Sequence, residues 1–267
     1  MMMQVRPKKA LGQHFLTDLS VAGRIADTLG DFTGVPVVEV GPGMGVLTRF
    51  LLDGGHDIVV AELDAESVAY LRREFKELAG RIVEGDFLKM DLNKLFPNSE
   101  KICVIGNYPY NISSQIFFHV LEHRERIACC SGMLQKEVAE RLAAGPGSKT
   151  RGILSVLLQA WFDVEYLFTV PPSVFNPPPK VQSGVIRMTP NGRDSLGCDE
   201  RLFKTVVKTT FGQRRKTIRN SVKGLLGTGV PLPENRLLGQ RPEQLSVEEF
   251  VQLTNLVTQS RREATEQ

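Results

Sequence analysis

The stretch "VVEVGPGMGVLT", residues 37–48, joins an apolar run, a glycine-rich turn and a second apolar segment. Residues 37–40 predict a buried strand, and residues 46–52 predict a helix. Glycines between them let the backbone pass close to a ligand, and the N-terminus of the helix presents free N–H groups. Such glycines can also form a simple tight turn that binds nothing. The surrounding sequence is therefore needed to distinguish a ligand-binding turn from a structural one.

Strands and helices alternate on both sides of this stretch. Strands separated by helices of this length predict a parallel sheet covered on both faces. The predicted strands are 37–40, 58–61, 82–83, 102–105, 127–134, 164–170 and 184–188, and the predicted helices are 18–30, 46–52, 65–78 and 112–123.

A domain boundary is predicted in the polar, turn-rich segment 189–200. Residues 1–190 would form the α/β domain, and residues 191–267 a small all-α domain. Ser246 and Glu249 form a capping box, which predicts the start of the last helix.

Composition restricts the class of protein. The net charge is +3 and 42% of the residues are hydrophobic, which are ordinary values for a globular protein. The four cysteines lack metal-ligand spacing, so we expect reduced thiols and no metal. The N-terminus lacks the apolar region of a signal peptide and no stretch is long enough to span a bilayer, so we expect a cytoplasmic protein.

The spacing of the glycines limits the class of ligand that this turn can bind. Gly41, Gly43 and Gly45 give G-x-G-x-G, without the third glycine of the dinucleotide fingerprint G-x-G-x-x-G. Glu62 ends the next strand, where it can bind both hydroxyls of a ribose, and Asp86 ends the third, where it can accept from the amine of adenine. An adenosine without a pyrophosphate fits best, which indicates S-adenosylmethionine and a Rossmann-like class I methyltransferase sheet.

The tetrapeptide Asn107-Tyr108-Pro109-Tyr110 ends the fourth predicted strand and faces the same crevice. It matches the [N/D]-P-P-[Y/F] pattern of enzymes that methylate exocyclic amines. The Asn107 side-chain oxygen and the Tyr108 carbonyl would accept the two N–H groups of adenine N6, with Pro109 fixing the turn. Tyr110 would stack on a base swung out of its RNA context. A turn that only ends the strand is the alternative.

Five motifs together resemble one family. From Lys8 to about Val257 the chain is similar to the small-subunit (16S) ribosomal RNA adenine dimethyltransferases, the KsgA-type enzymes. The matching stretches are "KKALGQHFL" (8–16), "VEVGPGMGVLT" (38–48), "VIGNYPYNISSQI" (104–116), "VFNPPPKVQSGVIRM" (174–188) and "FGQRRKTIRNS" (211–221).

The resemblance implies transfer of two methyl groups from S-adenosylmethionine to N6 of each of two adjacent adenines near the 3′ end of that RNA, within an immature small subunit. It implies that Phe175 closes over the target base opposite Tyr110. Arg151, where an aromatic is expected, and Gln182, where an acid is expected, depart from the family pattern, and both are expected to flank the RNA path. The cofactor contacts that the resemblance implies are His14, Leu16, Gly41, Glu62, Asp86 and Asn107.

Basic residues are concentrated in one segment. Between Arg201 and Lys223 there are eight Lys or Arg residues and no Asp or Glu. A helix over 213–226 would bury Ile218, Val222, Leu225 and Leu226 and leave a basic stripe facing solvent. A solvated face is the alternative, but acidic neighbours that would neutralise it are missing from the segment. The predicted contacts to RNA phosphates are Lys216, Arg219 and Lys223 of the stripe, with Arg6, Lys8 and Lys9 of the N-terminal arm.

Three other functions share some of these features. A large-subunit adenine methyltransferase of antibiotic resistance would have the same pocket, but "LGQHFL" and "FGQRRKTIRNS" favour the small-subunit type. A DNA adenine methyltransferase would carry a larger recognition domain. An assembly factor that binds the immature subunit, with methylation secondary, stays open. We expect a monomer.

Overall fold

The computed structural model describes residues 5–8, 11–226 and 230–265. The chain divides into two compact units. The first comprises Met1–Glu140 and Asp163–Pro190, and the second comprises Arg141–Phe162 and Asn191–Gln267. A unit boundary therefore lies within the polar segment 189–200, and residues 141–162, for which the sequence predicted no element, group with the second unit.

The first unit contains a mostly parallel sheet. Seven strands of the described chain form it in the order β4-β3-β2-β5-β6-β9-β7, and β1 pairs with β8 in a separate two-stranded sheet. The β6–β9 pair is antiparallel, and the pairs from β4 to β6 are parallel. The strands are β1 Phe15–Leu16, β2 Val37–Val40, β3 Ile58–Glu62, β4 Ile82–Glu84, β5 Ile102–Asn107, β6 Ile127–Gln135, β7 Phe162–Val170, β8 Phe175–Asn176 and β9 Ser183–Pro190.

Burial explains why the central strands are continuous apolar runs. Every residue of β2 and β3 is buried, as expected for parallel strands covered on both faces. Val38 pairs with Val59 on one side and with Val104 on the other, so three neighbouring strands end at the same edge of the sheet. The predicted α/β class is confirmed, and the side chains that follow these strands are brought together.

Some helices of the first unit begin at capping aspartates. Asp18 accepts from the N–H groups of Ser20 and Val21 before α1, and Asp64 accepts from the N–H of Ser67 before α3. Two predicted helices are shorter than expected, because each ends in a 3-10 turn, at 27–32 and 76–78. The helices are α1 Leu19–Ala26, α2 Val46–Asp53, α3 Ala65–Glu74, α4 Leu92–Leu95, α5 Ser113–Glu122 and α6 Lys136–Ala143, which runs into the second unit.

The second unit is helical, with α7 Ile153–Gln159, α8 Glu200–Gly212, α9 Ile218–Val222 and α10 Val247–Thr265. The capping box before α10 is confirmed, since Ser246 and Glu249 exchange backbone-to-side-chain hydrogen bonds of 2.9 and 3.1 Å.

The predicted helix over 213–226 is wrong in extent. Turns separate α8 from α9, and the N–H of Ile218 donates to the Gln240 carbonyl oxygen (2.8 Å) rather than to an oxygen one turn earlier. A tertiary hydrogen bond therefore replaces the intrahelical one at the break. In the described part of the chain, no helix is both long enough and apolar enough to cross a membrane.

Candidate active site

A cavity of about 220 Å³ opens where the carboxyl ends of β2, β3 and β5 meet. Its wall includes the glycine turn, both predicted acids and the whole tetrapeptide, together with the N-terminal segment 11–16. All six predicted cofactor contacts line it, namely His14, Leu16, Gly41, Glu62, Asp86 and Asn107.

The glycine turn approaches its neighbours too closely for side chains. Gly43 and Gly45 have φ angles of 57° and 73°, which favour glycine. An added Cβ would lie 2.9 Å from the Phe15 ring at Gly43 and 2.4 Å from the Phe75 ring at Gly45. Glycine is therefore required at both positions, because any side chain would collide with the Phe15 or Phe75 ring.

Glu62 is held by backbone N–H groups at the floor of the cavity. Its two carboxylate oxygens accept from the N–H of Gly43 (3.0 Å) and of Asp64 (2.8 Å), and the residue is 5% exposed. Burial raises the pKa of Glu62, although these two N–H groups oppose the shift. A carboxylate oxygen can accept more than one donor, so Glu62 can also accept from a ligand.

Asp86 lies two residues beyond the end of β4 and caps a 3-10 turn. Its Oδ1 accepts from the N–H of Leu88 (3.1 Å), and Lys89 Nζ lies 3.8 Å from Oδ2. The carboxylate therefore has a fixed orientation at the cavity wall.

Glu39 is an acid to which sequence reasoning gave no individual role. It lines the cavity below the glycine turn, is 1% exposed, and its Oε2 accepts from the Thr48 hydroxyl (2.6 Å). Burial raises the pKa of Glu39 to about 8, and the neighbouring Glu62 charge adds to the shift. Its position inside a strand, two residues before Gly41 of the glycine turn, was the available signal.

Asn107 and Tyr108 point in different directions from the end of β5. Asn107 Nδ2 donates to the His14 carbonyl oxygen (2.9 Å), which orients the side-chain oxygen as the free acceptor. The Tyr108 side chain is buried, and its hydroxyl donates to the Ser131 carbonyl oxygen (2.7 Å). Its backbone, not its ring, therefore belongs to the cavity.

Sequence reasoning missed Gly132, which makes room for this ring. Its φ is 149°, and an added Cβ would lie 2.2 Å from the Gly106 carbonyl oxygen and 2.7 Å from the Tyr108 ring. Leu63 was missed as well, although it follows Glu62 directly and is a 54% exposed apolar residue on the cavity wall.

Pro109 and Tyr110 complete the tetrapeptide. The Pro109 carbonyl oxygen accepts from the N–H of Ile112 (3.2 Å), closing a turn before α5. The Tyr110 hydroxyl is hydrogen-bonded to Ser183 Oγ (2.5 Å), and its ring centroid lies 5.4 Å from that of His14. Tyr110 is thus a half-buried aromatic ring held at the cavity wall.

Phe175 is placed differently from the other predicted catalytic residues. It is 4% exposed, is paired with Leu16 in the β1–β8 sheet and belongs to the core of the first unit, not to the cavity wall. Its ring therefore does not face Tyr110 across the cavity in this structure, and its role in closing over a base stays a prediction.

The predicted RNA contacts fall into different surroundings. Arg6, Lys216 and Lys223 are exposed, and Lys9 lies outside the described residues. Arg219 is half-buried, with its guanidinium 3.7 Å from Glu234, so a distant part of the chain supplies an acid that the basic segment lacks. Lys8 is also paired, with Asp64 and Glu66.

The two departures from the family pattern also differ from each other. Gln182 is exposed and accepts from Lys136 Nζ (3.1 Å). Arg151 is 1% exposed, so the expectation that it flanks an RNA path is wrong for this structure. Its guanidinium donates to the Ala144 carbonyl oxygen (2.5 Å) and to Gln159 Oε1 (2.6 Å) inside the second unit.

Cysteines show no site chemistry of their own. All four thiols are free, and Cys103, Cys129 and Cys130 are buried in the sheet. Within residues 5–8, 11–226 and 230–265, no group of three His, Cys, Asp or Glu side chains is arranged to hold a metal ion.

Comparison with known proteins gives matches along almost the whole chain. The family model for ribosomal RNA adenine dimethylase matches residues 4–259. The chain is 68% identical over 259 residues to Ribosomal RNA small subunit methyltransferase A of Parabacteroides distasonis, covering 97% of this chain and 96% of that protein. It is 63% identical over 258 residues to the protein of the same name from Porphyromonas gingivalis, covering 97% and 100%.

Solved structures support the same fold. A dimethyladenosine transferase from Plasmodium falciparum matches with a TM-score of 0.75 at 22% identity, covering 92% of this chain and 98% of that one. The 23S rRNA methyltransferase ErmE matches with a TM-score of 0.64 at 25% identity, covering 91% and 99%. The predicted Rossmann-like methyltransferase fold is therefore confirmed.

Proposed function

The chain belongs to the ribosomal RNA adenine dimethylase family, and we propose that it transfers methyl groups from S-adenosylmethionine to N6 of two adjacent adenines near the 3′ end of small-subunit ribosomal RNA. Each adenine receives two methyl groups. The observation that carries this proposal is the shared cavity, in which the tetrapeptide 107–110 faces the glycine turn and the acids of the neighbouring strand ends.

The residues of the cavity suit S-adenosylmethionine. Glu62 would bind the two ribose hydroxyls, and Asp86 the adenine amine. Gly41, with a φ of 66°, allows a sharp turn of the backbone at the cavity, which His14 and Leu16 also line. The cofactor supplies a methyl group on a positively charged sulfur and leaves as S-adenosylhomocysteine. We expect no metal to take part.

Asn107 and Tyr108 would prepare the target amine. The lone pair of adenine N6 is delocalised into the ring, which makes the amine a poor nucleophile. The Asn107 side-chain oxygen and the Tyr108 carbonyl oxygen would accept its two N–H groups and favour a pyramidal nitrogen. This positioning would free the lone pair for in-line attack without a preceding general base, and the methylated nitrogen would then lose one N–H proton to water.

Tyr110 would hold the base while it reacts. Its hydroxyl bond to Ser183 fixes the ring at the cavity wall, where an adenine swung out of the RNA can stack on it. Pro109 limits the movement of the turn that carries this ring. Phe175 would have to turn out of its buried position to close over the base from the other side.

The basic residues would hold the RNA backbone. Lys216, Arg219 and Lys223 of the second unit, with Arg6 and Lys9 of the N-terminal arm, would contact phosphates without reading sequence. The substrate would be this RNA inside an immature small subunit, bound by a monomer in the cytoplasm, where such subunits are assembled.

Methyl transfer to immature small subunits tests the function. The protein is incubated with S-adenosylmethionine and immature small subunits whose RNA lacks these methyl groups, and the RNA is digested and analysed by mass spectrometry. We expect dimethyladenosine in one fragment near the 3′ end. Large-subunit RNA and DNA are the comparison substrates, and methylation of either in place of the small-subunit RNA would contradict the proposal.

A further inference from the structure

The N-terminal segment 11–16 forms one wall of the cavity, and its C-terminal end is firmly attached. The N–H of Thr17 donates to the Val174 carbonyl oxygen (2.8 Å), and β1 pairs with β8. Asn107 Nδ2 donates to the His14 carbonyl oxygen, as described above. At Gly12 the backbone passes so close to Asn111 that an added Cβ would lie 2.7 Å from its Oδ1.

Lys8 attaches the other end of this wall. Its ammonium group forms ion pairs with Asp64 and, at 3.1 Å, with Glu66. Its own backbone also joins the wall, since its N–H donates to Gln13 Oε1 (2.8 Å) and its carbonyl oxygen accepts from the N–H of Leu11 (3.0 Å). One residue therefore connects segment 11–16 to the start of α3.

Asp64 is a rigid partner for Lys8. It is 3% exposed, caps α3 by accepting from the N–H and hydroxyl of Ser67, and follows Glu62 by two residues. Although burial opposes it, the Lys8 ammonium and the Ser67 hydroxyl lower the pKa of Asp64. The ion pair thus joins the wall to the strand end that carries the proposed ribose acceptor.

We propose that Lys8 is a positioning residue that holds the N-terminal wall in place for the cofactor, through Asp64 and Glu66, and is not a contact to RNA phosphate. The inference rests on the proposed function in that the cofactor is S-adenosylmethionine. A wall attached at both ends is ordered before the ligand arrives. Without Lys8, part of the binding free energy of the ligand is used to order segment 11–16. The affinity is therefore weaker, while the reacting groups are unchanged.

Replacing Lys8 tests the inference. Lys8→Gln is expected to raise the Kd and KM for S-adenosylmethionine by about three- to tenfold, while kcat at saturating cofactor and KM for RNA stay unchanged. Lys8→Arg keeps the charge and is expected to restore most of the affinity. Lys76→Gln removes the same charge from an exposed position on the first unit and serves as the control.

A double-mutant cycle isolates the ion pair. Glu66→Gln alone is expected to weaken cofactor binding less than Lys8→Gln, and in the Lys8→Gln background it is expected to add nothing. Amide hydrogen exchange gives a second readout, because residues 11–16 should exchange faster in the free Lys8→Gln variant and return to wild-type protection when S-adenosylmethionine saturates it.

The outcomes are distinguishable. An unchanged Kd for S-adenosylmethionine in Lys8→Gln, with weaker RNA binding and a flatter salt dependence, would return Lys8 to the RNA contacts and overturn the inference. A wild-type protein that fails to bind S-adenosylmethionine would instead overturn the proposed function.

Discussion

Glu39, Glu62 and Asp64 of the first unit are 1%, 5% and 3% exposed, whereas Lys216 and Lys223 of the second unit are exposed to solvent. The acids are held by short hydrogen bonds from the backbone and from hydroxyl groups. The Lys216 ammonium group donates to Gln213 Oε1 (3.0 Å) within its own turn.

The difference determines how each region can act. A buried charge interacts strongly with each neighbour because water does not screen it, so single replacements have large effects. Exposed charges are screened and individually weak, so they act as a group. We therefore expect single substitutions in the cavity to alter stability or chemistry, and the basic residues to matter only when several are replaced together.

The largest expected effect is at Glu39. Its pKa of about 8 lies above its ordinary value of 4.5, so the folded state binds the proton more tightly than the unfolded state. The stabilisation is complete below about pH 4.5 and is lost as the pH rises through 8. Urea unfolding should show a decrease of about 4 kcal/mol in the free energy of unfolding between pH 5 and 8.5, and Glu39→Gln should remove most of this slope.

Glu84→Gln is the matched control for this titration. Its side chain is 47% exposed, and the variant is unfolded at the same pH values for comparison with Glu39→Gln. Some slope should persist in Glu39→Gln because the pKa of Glu62 is raised too. Parallel stability curves for wild type and Glu39→Gln would show that Glu39 is not buried in its neutral form.

Next in size is Glu62→Ala. A charge-assisted bidentate contact to the ribose contributes roughly 1.5–3 kcal/mol. Calorimetry should therefore show S-adenosylmethionine binding weakened by about tenfold or more. Unchanged affinity would remove Glu62 from the cofactor site.

Tyr110 separates base binding from cofactor binding within the same cavity. Loss of one stacking aromatic costs about 1–3 kcal/mol, so Tyr110→Ala should slow methyl transfer by roughly 10- to 100-fold and leave the Kd for S-adenosylmethionine unchanged. Tyr110→Phe removes the bond to Ser183 but keeps the ring, and it should retain most of the rate. Initial rates of methyl transfer and calorimetric Kd values for S-adenosylmethionine are measured on both variants. A wild-type rate in Tyr110→Ala would exclude stacking.

Positions that depend on local sequence could be predicted. Gly41, Glu62, Asp86 and Asn107 each lie at or just beyond the end of an apolar strand, and parallel strands bring such positions to one edge of the sheet. Local periodicity was therefore sufficient to place them at one cavity. Their individual roles remain predictions.

Features that depend on distant partners could not be predicted in this way. The β1–β8 pair buries Phe175 beside Leu16, which are far apart in the sequence. The break before α9 depends on Gln240, which is distant in the sequence from Ile218. The burial of Arg151 depends on the fold of residues 144–159, where its guanidinium donates to the Ala144 carbonyl oxygen and to Gln159. Periodicity contains no information about such contacts.

The smallest effect per residue is expected in the basic segment of the second unit. Replacing Lys216, Arg219 and Lys223 together with Gln removes up to three phosphate contacts, and each contact contributes about 0.7 to 0.9 to the slope of log affinity against log salt. The slope should become flatter by about 2–3 units, with cofactor affinity unchanged. Arg219 should contribute least, because Glu234 lies 3.7 Å from its guanidinium.

Replacing Lys76, Lys94 and Lys101 of the first unit with Gln removes the same charge from exposed positions and should leave the slope nearly as in the wild type. Equal slopes for the two triple variants in a salt titration of RNA binding would mean that the basic segment only solvates its unit.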